Sequence, residues 1–327
     1  MWDAACTVWI IQTVHDLAKA INDQEQIDSI LLDFNKAFDK VCHRKLMHKL
    51  NHYGVGGEIL YWITEFLHER TQFDVVRGTS SKHTAVISGV SQGTILGPLL
   101  FLAYINDMPM ETKSKIALFA GDSNLYRRIS SLEDSKQLQT DLDNLVTWEK
   151  KWSIEFHPRK CKLLQVTKSG MSSMHTTNPR STTRSCWKAK YLGVTQRKDR
   201  SILECSHCHH TRKGQQHQIF LQRNLAKSDS KTRLKCYKIF VRPILEYAWT
   251  VWDPVGNETL ASKIEMVQRK CLRWAFNTWR QTTSPTALRV SAELKTLSER
   301  RSNARLKMLH ECLHLTKQVK ILSLSQF

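Results

Sequence analysis

The chain has 327 residues, 41% hydrophobic and 24% charged, enough to bury a sizeable core and to build two or three domains. Its formal charge of +19 is unevenly placed: residues 1–166 hold 19 Lys and Arg against 20 Asp and Glu, and residues 167–327 hold 30 against 10. The longest apolar run, Ile95–Ile105, is too short for a membrane span and contains Gly97 and Pro98, no signal-peptide pattern is indicated at the start of this sequence, and nine scattered cysteines suit a reducing compartment.

In chain order, "SILLDF" (Ser29–Phe34) reads as a short buried strand ending on Asp33. "HRKLMHKLNHYG" sets Leu46, Met47 and Leu50 at helical spacing, with Gly54 as its stop. "GEILYWITEFLHE" is an amphipathic helix, and "QFDVVRG" and "HTAVISG" look like paired strands. A glycine-punctuated turn, Ser88–Pro98, leads into an apolar helix. "LFAGDSNLY" (Leu118–Tyr126) reads as two strands with Asp122 at the tip of the turn. Leu138, Leu142, Leu145 and Trp152 lie on one face of a helix over Leu132–Trp152.

The stretch from Thr167 to His217 is rich in Ser, Thr, Lys and His, with little periodicity apart from "YLGV" at Tyr191–Val194. Helical patterns return with "TRLKCYKIFVRPILEYAWTVWDP", expected to kink or break at Pro243, then "LASKIEMVQRKCLRWAF" and "LKTLSERRSNARLKMLHECLHL". Strands mixed with helices, then helices alone, predict an α+β fold followed by an all-α part. A basic all-α half fits a surface that tracks phosphates, and the alternative is a poorly folded basic tail.

Asp33 and Asp122 can converge only if their elements are neighbours in one sheet. Converging carboxylates are the hard ligands Mg²⁺ prefers, and two such ions clamp a phosphoryl transfer. Spacing alone is a weak signal, and N-capping or turn formation stays open for each acid.

Several motifs in order carry a resemblance: "LLDFNKAFDKVCHRKLMHKL", "SGVSQGTILGPLLFLAYINDMP", "LFAGDSNLY", "WEKKWSIEFHPRKCKLLQV" and "YLGV". The chain resembles reverse transcriptases of LINE-type (non-LTR, jockey-like) retrotransposons over nearly its whole length, with a gap near residues 195–218. The resemblance implies a right-hand polymerase: a palm with residual fingers over 1–166, a connection over 167–218 and a helical basic thumb over 219–327. It implies Asp33 as a metal-binding acid, Phe38 as the gate against a 2′-hydroxyl, and Ser88, Gly89, Gln92 and Gly93 as the turn beside nucleotide and template. It also implies Lys160 as an aid to pyrophosphate departure, Mg²⁺ as cofactor, and an RNA template, a DNA primer and dNTPs as partners. The plainer readings are Phe38 as core, Lys160 as surface and Gln92 as a turn residue. A membrane or a disulfide-linked partner is not expected, and the expected location is intracellular, with nucleus and cytoplasm both open.

Three departures qualify the activity. The family's Phe-Ala-Asp-Asp is Phe119-Ala120-Gly121-Asp122 here, so Gly121 stands where the first acid of the pair belongs. Its Val-Pro-Gln-Gly is Val90-Ser91-Gln92-Gly93. The chain also begins about thirty residues before Asp33, so the basic fingers segment and the endonuclease of such elements are expected to be missing. The expectation is a polymerase domain with lost or severely reduced activity, and the alternative is a non-catalytic nucleic-acid-binding remnant. "LECSHCHHTRKGQQH" offers Cys205, Cys208, His207, His209, His210 and His217 as zinc ligands. We read it instead as frameshifted: moved by one base, one back-translation gives Trp-Asn-Ala-His-Ile-Ala-Thr, which resembles the family after YLGV. Residues 167–218 are accordingly expected to be irregular.

Overall fold

The structure is a computed structural model that describes residues 2–167, 184–197, 202–254, 256–278 and 283–324. The chain divides into two compact units, His15–Tyr191 and Met1–Val14 with Leu192–Phe327. The division falls at 191/192, and the N-terminal residues group with the C-terminal helices.

Helix α1 (Trp2–Asn22), which sequence reading did not foresee, belongs to the first unit only from His15 onward, and strand β1 (Gln26–Asp33) follows it. Helices α2 (His43–His52) and α3 (Gly57–Leu67) follow, then four two-residue strands, β2 (Thr71–Gln72), β3 (Val75–Val76), β4 (Thr79–Ser80) and β5 (Thr84–Ala85). Strand β2 pairs with β5, and β3 with β4. Helix α4 (Leu96–Ile105), strands β6 (Lys115–Phe119) and β7 (Asp122–Ile129), helix α5 (Leu132–Trp152) and strands β8 (Lys162–Val166), β9 (Arg184–Ser185) and β10 (Lys188–Tyr191) complete it.

Five strands form one sheet in the order β6-β7-β1-β8-β9. Strand β1 lies at its centre, which explains why seven of its eight residues are buried and why its sequence does not alternate. Its buried polar groups are matched in place: the Ser29 hydroxyl donates to Asn124 Oδ1 at 2.7 Å, and Gln26 donates to Asp28 at 2.8 Å.

Helix α5 has the predicted limits. The Ser131 hydroxyl accepts from the Asp134 N–H and the Asp134 carboxylate reaches back, a capping box. Leu138, Leu142, Leu145, Trp148 and Trp152 put its apolar face into the core with Phe34, Phe101 and Tyr104. Helix α2 adds a buried ammonium. Lys49 donates to the Tyr104 carbonyl and to Asp107, and lies 3.6 Å from the centroid of the Trp152 ring. Burial pushes its pKa down to about 8, against the pull of Asp107.

The second unit contains strand β11 (Val194–Arg197) and helices α6 (Ile202–Asn224), α7 (Ser230–Cys236), α8 (Arg242–Glu246), α9 (Trp249–Trp252), α10 (Glu258–Ala275), α11 (Pro285–Ser291) and α12 (Leu297–Leu324). Pro243 supplies no N–H, and the turn before it, Tyr237–Val241, is a π-type bulge. Asp253 accepts from Arg301 and Arg305, and Glu246 from Arg300, so two acids fasten α12 to α8 and α9.

The expected irregularity of 167–218 is corrected from Ile202 onward, where the chain is helix. One face of α6 is buried at Ser206, His207, His210, Thr211, Gly214, Gln218 and Leu221, a helical spacing written in polar and small residues. His210 stacks on Trp252 at 5.1 Å and 5°, and His207 meets the same ring edge-on at 5.9 Å. A Cβ on Gly214 would lie 2.6 Å from Leu245, so glycine permits that approach. Hydropathy periodicity misses such a face, because imidazoles and hydroxyls pack here as core. Residues 168–183 and 198–201 lie outside the described residues. Among the described residues no helix is long and apolar enough to cross a membrane.

Candidate active site

Strands β1 and β7 pair antiparallel, and the last residue of one is the partner of the first residue of the other: Asp33 opposite Asp122. The tip of the β6–β7 turn is Ala120-Gly121 rather than Asp122, which belongs to the ladder opposite Phe119. The far side of Asp33 is held by the segment after α5. His157 N–H donates to the Asp33 carbonyl at 2.7 Å, Asn35 N–H donates to the Glu155 carbonyl at 2.7 Å, and Phe34 stacks on Phe156 at 4.8 Å. The Glu149 carboxylate accepts the Phe156 N–H at 2.9 Å and ties this segment to α5. Lys160 follows on it, its ammonium 3.3 Å from Asp33 Oδ1.

Asp33, Asp122 and Lys160 therefore line one cleft of about 330 Å³. Sequence reading missed four further residues of its wall: Arg159, Lys162, Lys190 and Tyr191. Four cations thus surround two carboxylates. Partial desolvation pushes the Asp122 pKa above the ordinary carboxylate value, the facing Asp33 adds to this, and Lys160 offsets part. Like charges placed to converge are a feature of functional sites. The signal available in the sequence was the clustered basic residues of "HPRKCK" and "KAKY", which do not announce which cleft they share.

The Phe38 backbone meets the Ser88–Gly93 turn, of which Ser88 to Gln92 line a second cleft. Phe38 is half-buried and stacks on Phe101 at 4.9 Å, so the core reading of its ring holds alongside any contact with ligand. Its carbonyl accepts the Val90 N–H at 2.7 Å, and the Gly89 N–H donates to Val41 at 2.8 Å. Gly89 has φ +95°, and an added Cβ would lie 2.9 Å from Asp39 Cα, Asp39 O and Phe38 O. Only glycine fits there. The Ser88 hydroxyl donates to the Asp39 carbonyl at 2.9 Å, Gln92 donates to the Asp39 carboxylate at 3.3 Å, and His43 donates to the Gly89 carbonyl at 2.7 Å. Ser88, Gly89 and Gln92 line a cleft of about 530 Å³ with Lys36, Asp39 and Arg70. Gly93 also has positive φ but faces open space.

Gly121 differs from Gly89. The residue with left-handed backbone in its turn is Ala120, at φ +48°. A Cβ on Gly121 would meet only Ala37 Cβ, at 3.6 Å, an ordinary contact. The backbone does not require glycine at 121, and a side chain there would enter beside the loop that follows Asp33.

Two carboxylates with room for water fit a hard divalent ion such as Mg²⁺ only in part, since Gly121, next to Asp122, offers no carboxylate. Among the described residues no three His, Cys, Asp or Glu side chains form a metal-binding group. Of the zinc candidates, His207 and His210 face Trp252, Cys208 is exposed, and His217 bonds the Lys213 carbonyl. The side chain of Cys205 lies outside the described residues.

The sequence matches the family "Reverse transcriptase (RNA-dependent DNA polymerase)" over residues 9–196. It is 29% identical over 276 residues to the RNA-directed DNA polymerase from mobile element jockey of Drosophila funebris, covering 80% of this chain and 30% of that protein. It is 26% identical over 290 residues to the probable RNA-directed DNA polymerase from transposon BS of Drosophila melanogaster, covering 80% and 31%. The chain thus spans about 30% of the length of these relatives. A solved structure of telomerase from Candida tropicalis, in complex with a fragment of telomeric RNA, matches with a TM-score of 0.41 at 10% identity, over 86% of this chain and 51% of that one.

Proposed function

Because the chain belongs to the reverse transcriptase (RNA-dependent DNA polymerase) family, and within it to the LINE-type, non-LTR group, we propose that the Asp33–Asp122–Lys160 cleft is a nucleotidyl-transfer centre that has lost one carboxylate. The residues 15–191 are then a palm, and the helices after 192 a thumb. The observation that carries this reading is the register partnership of Asp33 with Asp122 beside Gly121, a position that accepts a side chain.

Asp33 and Asp122 would hold Mg²⁺, which when bound neutralises charge on the transferring phosphoryl group. The chain's own groups have distinct tasks in this reading. Lys160, paired with Asp33, supplies positive charge where pyrophosphate departs. Phe38 packs under the sugar. Gln92 and the backbone around Gly89 support nucleotide and template. The partners are an RNA template, a DNA primer and dNTPs. With glycine at 121, loss of ion placement reduces the rate by three or more orders of magnitude, at about 1.4 kcal/mol per tenfold. The test is primer extension on an RNA template with Mg²⁺ or Mn²⁺: no extension by the wild type is expected, and robust extension overturns the impaired reading.

A second reading, binding without catalysis, is favoured by charge. Residues 192–327 hold 25 Lys and Arg against 10 Asp and Glu. In this reading the full chain binds duplex nucleic acid with little sequence preference, and affinity falls steeply with salt as counterions are released. Affinity that does not change between low and physiological salt refutes it.

A further inference from the structure

The segment that leads into β10 carries an exposed indole, Trp187, three residues before a lysine that lines the cationic cleft. Trp187 is 58% exposed, although tryptophan is usually among the more buried side chains. The Lys188 ammonium lies 4.8 Å from its ring centroid. Along β10, Ala189 and Tyr191 are buried while Lys188 and Lys190 are exposed, so the pleat puts both ammonium groups on one side. Lys190 lines the Asp33–Asp122 cleft together with Arg159, Lys160 and Lys162. The segment is anchored rather than loose: Cys186 N–H donates to the Leu163 carbonyl of β8 at 2.9 Å. A row of cations with an exposed aromatic face is the combination that holds single strands, charge for the phosphates and a ring for a base.

We propose that Trp187 stacks on an unpaired base of a nucleic-acid strand whose phosphates run along Lys188, Lys190 and the lysines of the cleft, leading the strand toward Asp33 and Asp122. This rests on the nucleic-acid reading above and adds a residue and a strand state to it. Trp187 is a positioning residue: it touches a base of the strand and none of the reacting atoms. Stacking needs the face of a base, so it operates on single strands, and neither a closed duplex nor a strand without bases can use it.

The test measures anisotropy of labelled oligothymidylate, an abasic oligonucleotide of equal length and a blunt duplex, each titrated with the full chain at several salt concentrations. Wild type should bind oligothymidylate more tightly than the abasic strand. Trp187→Ala should weaken oligothymidylate binding about 5- to 150-fold, leave abasic and duplex binding unchanged, and keep the salt slope. Trp187→Phe should retain most of the affinity. Equal wild-type affinity for abasic strand and oligothymidylate overturns the inference without any variant, as does Trp187→Ala binding oligothymidylate like wild type. Both outcomes leave the nucleic-acid reading standing. Wild type that binds none of the three probes overturns both.

Discussion

Replacing Gly121 by aspartate should rebuild a divalent-ion site, with a size set by charge and space. Space is available, because the new Cβ meets only Ala37 Cβ at 3.6 Å and the backbone there is not left-handed. Charge works in two directions. A third carboxylate about 6 Å from each of two others repels each by ~0.7 kcal/mol in water and by ~3 kcal/mol at an effective dielectric of 20. The cleft is open to solvent on one side, so about 1 kcal/mol per pair applies, and the metal-free variant should lose about 1–2 kcal/mol of stability. The same field acts on a dication with twice the charge, so the new ligand should add about 2 kcal/mol of binding, near 30-fold. Mn²⁺ titration followed by electron paramagnetic resonance gives the affinity, and urea unfolding with and without Mn²⁺ gives the stability. Saturating Mn²⁺ should restore the variant's stability by mass action. Asp33→Ala introduced into Gly121→Asp should abolish the gain. A Gly121→Asp protein that binds Mn²⁺ no tighter than wild type, or a gain that survives Asp33→Ala, refutes the convergence of carboxylates argued from the β1–β7 register.

Three further outcomes follow from other residues. Gly89→Ala should cost about 3 kcal/mol or more in urea unfolding, from positive φ plus a backbone clash, while Gly93→Ala, with positive φ and open space, should cost about 1–2 kcal/mol; equal costs refute the close approach of Gly89 to Asp39. Ala120→Gly should stabilise the chain by about 1 kcal/mol by relieving left-handed backbone, and a loss instead would mean that the alanine methyl contributes packing. Lys49 has a folded pKa of about 8, below the 10.5 of the free side chain, so the unfolded chain holds this proton more tightly; its ionised form costs stability below pH 8, and the cost is relieved as pH rises from 8 toward 10.5. Burial raises the Tyr104 hydroxyl to about 12 and pushes up the Cys271 thiol, both of which lower stability at alkaline pH, so the readout is wild type minus Lys49→Met, which should rise by up to about 3 kcal/mol between pH 8 and 10; a flat difference refutes it.

By itself the sequence determined the elements whose reasons are local. The Ser131–Asp134 box and the leucine stripe fix α5, the run Ile30-Leu31-Leu32 fixes the core of β1, and the turn residues between Phe119 and Asp122 fix a hairpin. The ordered motifs also fixed the family, since several linked matches constrain more than any single spacing. Tertiary structure decided everything that depends on which elements touch. Asp33 faces Asp122 because β1 and β7 are neighbours in register, a pairing no spacing along the chain encodes. Arg159, Lys162 and Lys190 join them because β8 and β10 end at the same cleft. Ala120, not Gly121, takes the left-handed step, since turn geometry follows from how β6 and β7 are held and not from which residue is most permissive. Helix α6 escaped sequence reading for a related reason. Its buried face is written in histidine, threonine and glycine, which hydropathy scores as surface, and those side chains become core only because Trp252, Tyr247 and Leu245 are brought against them.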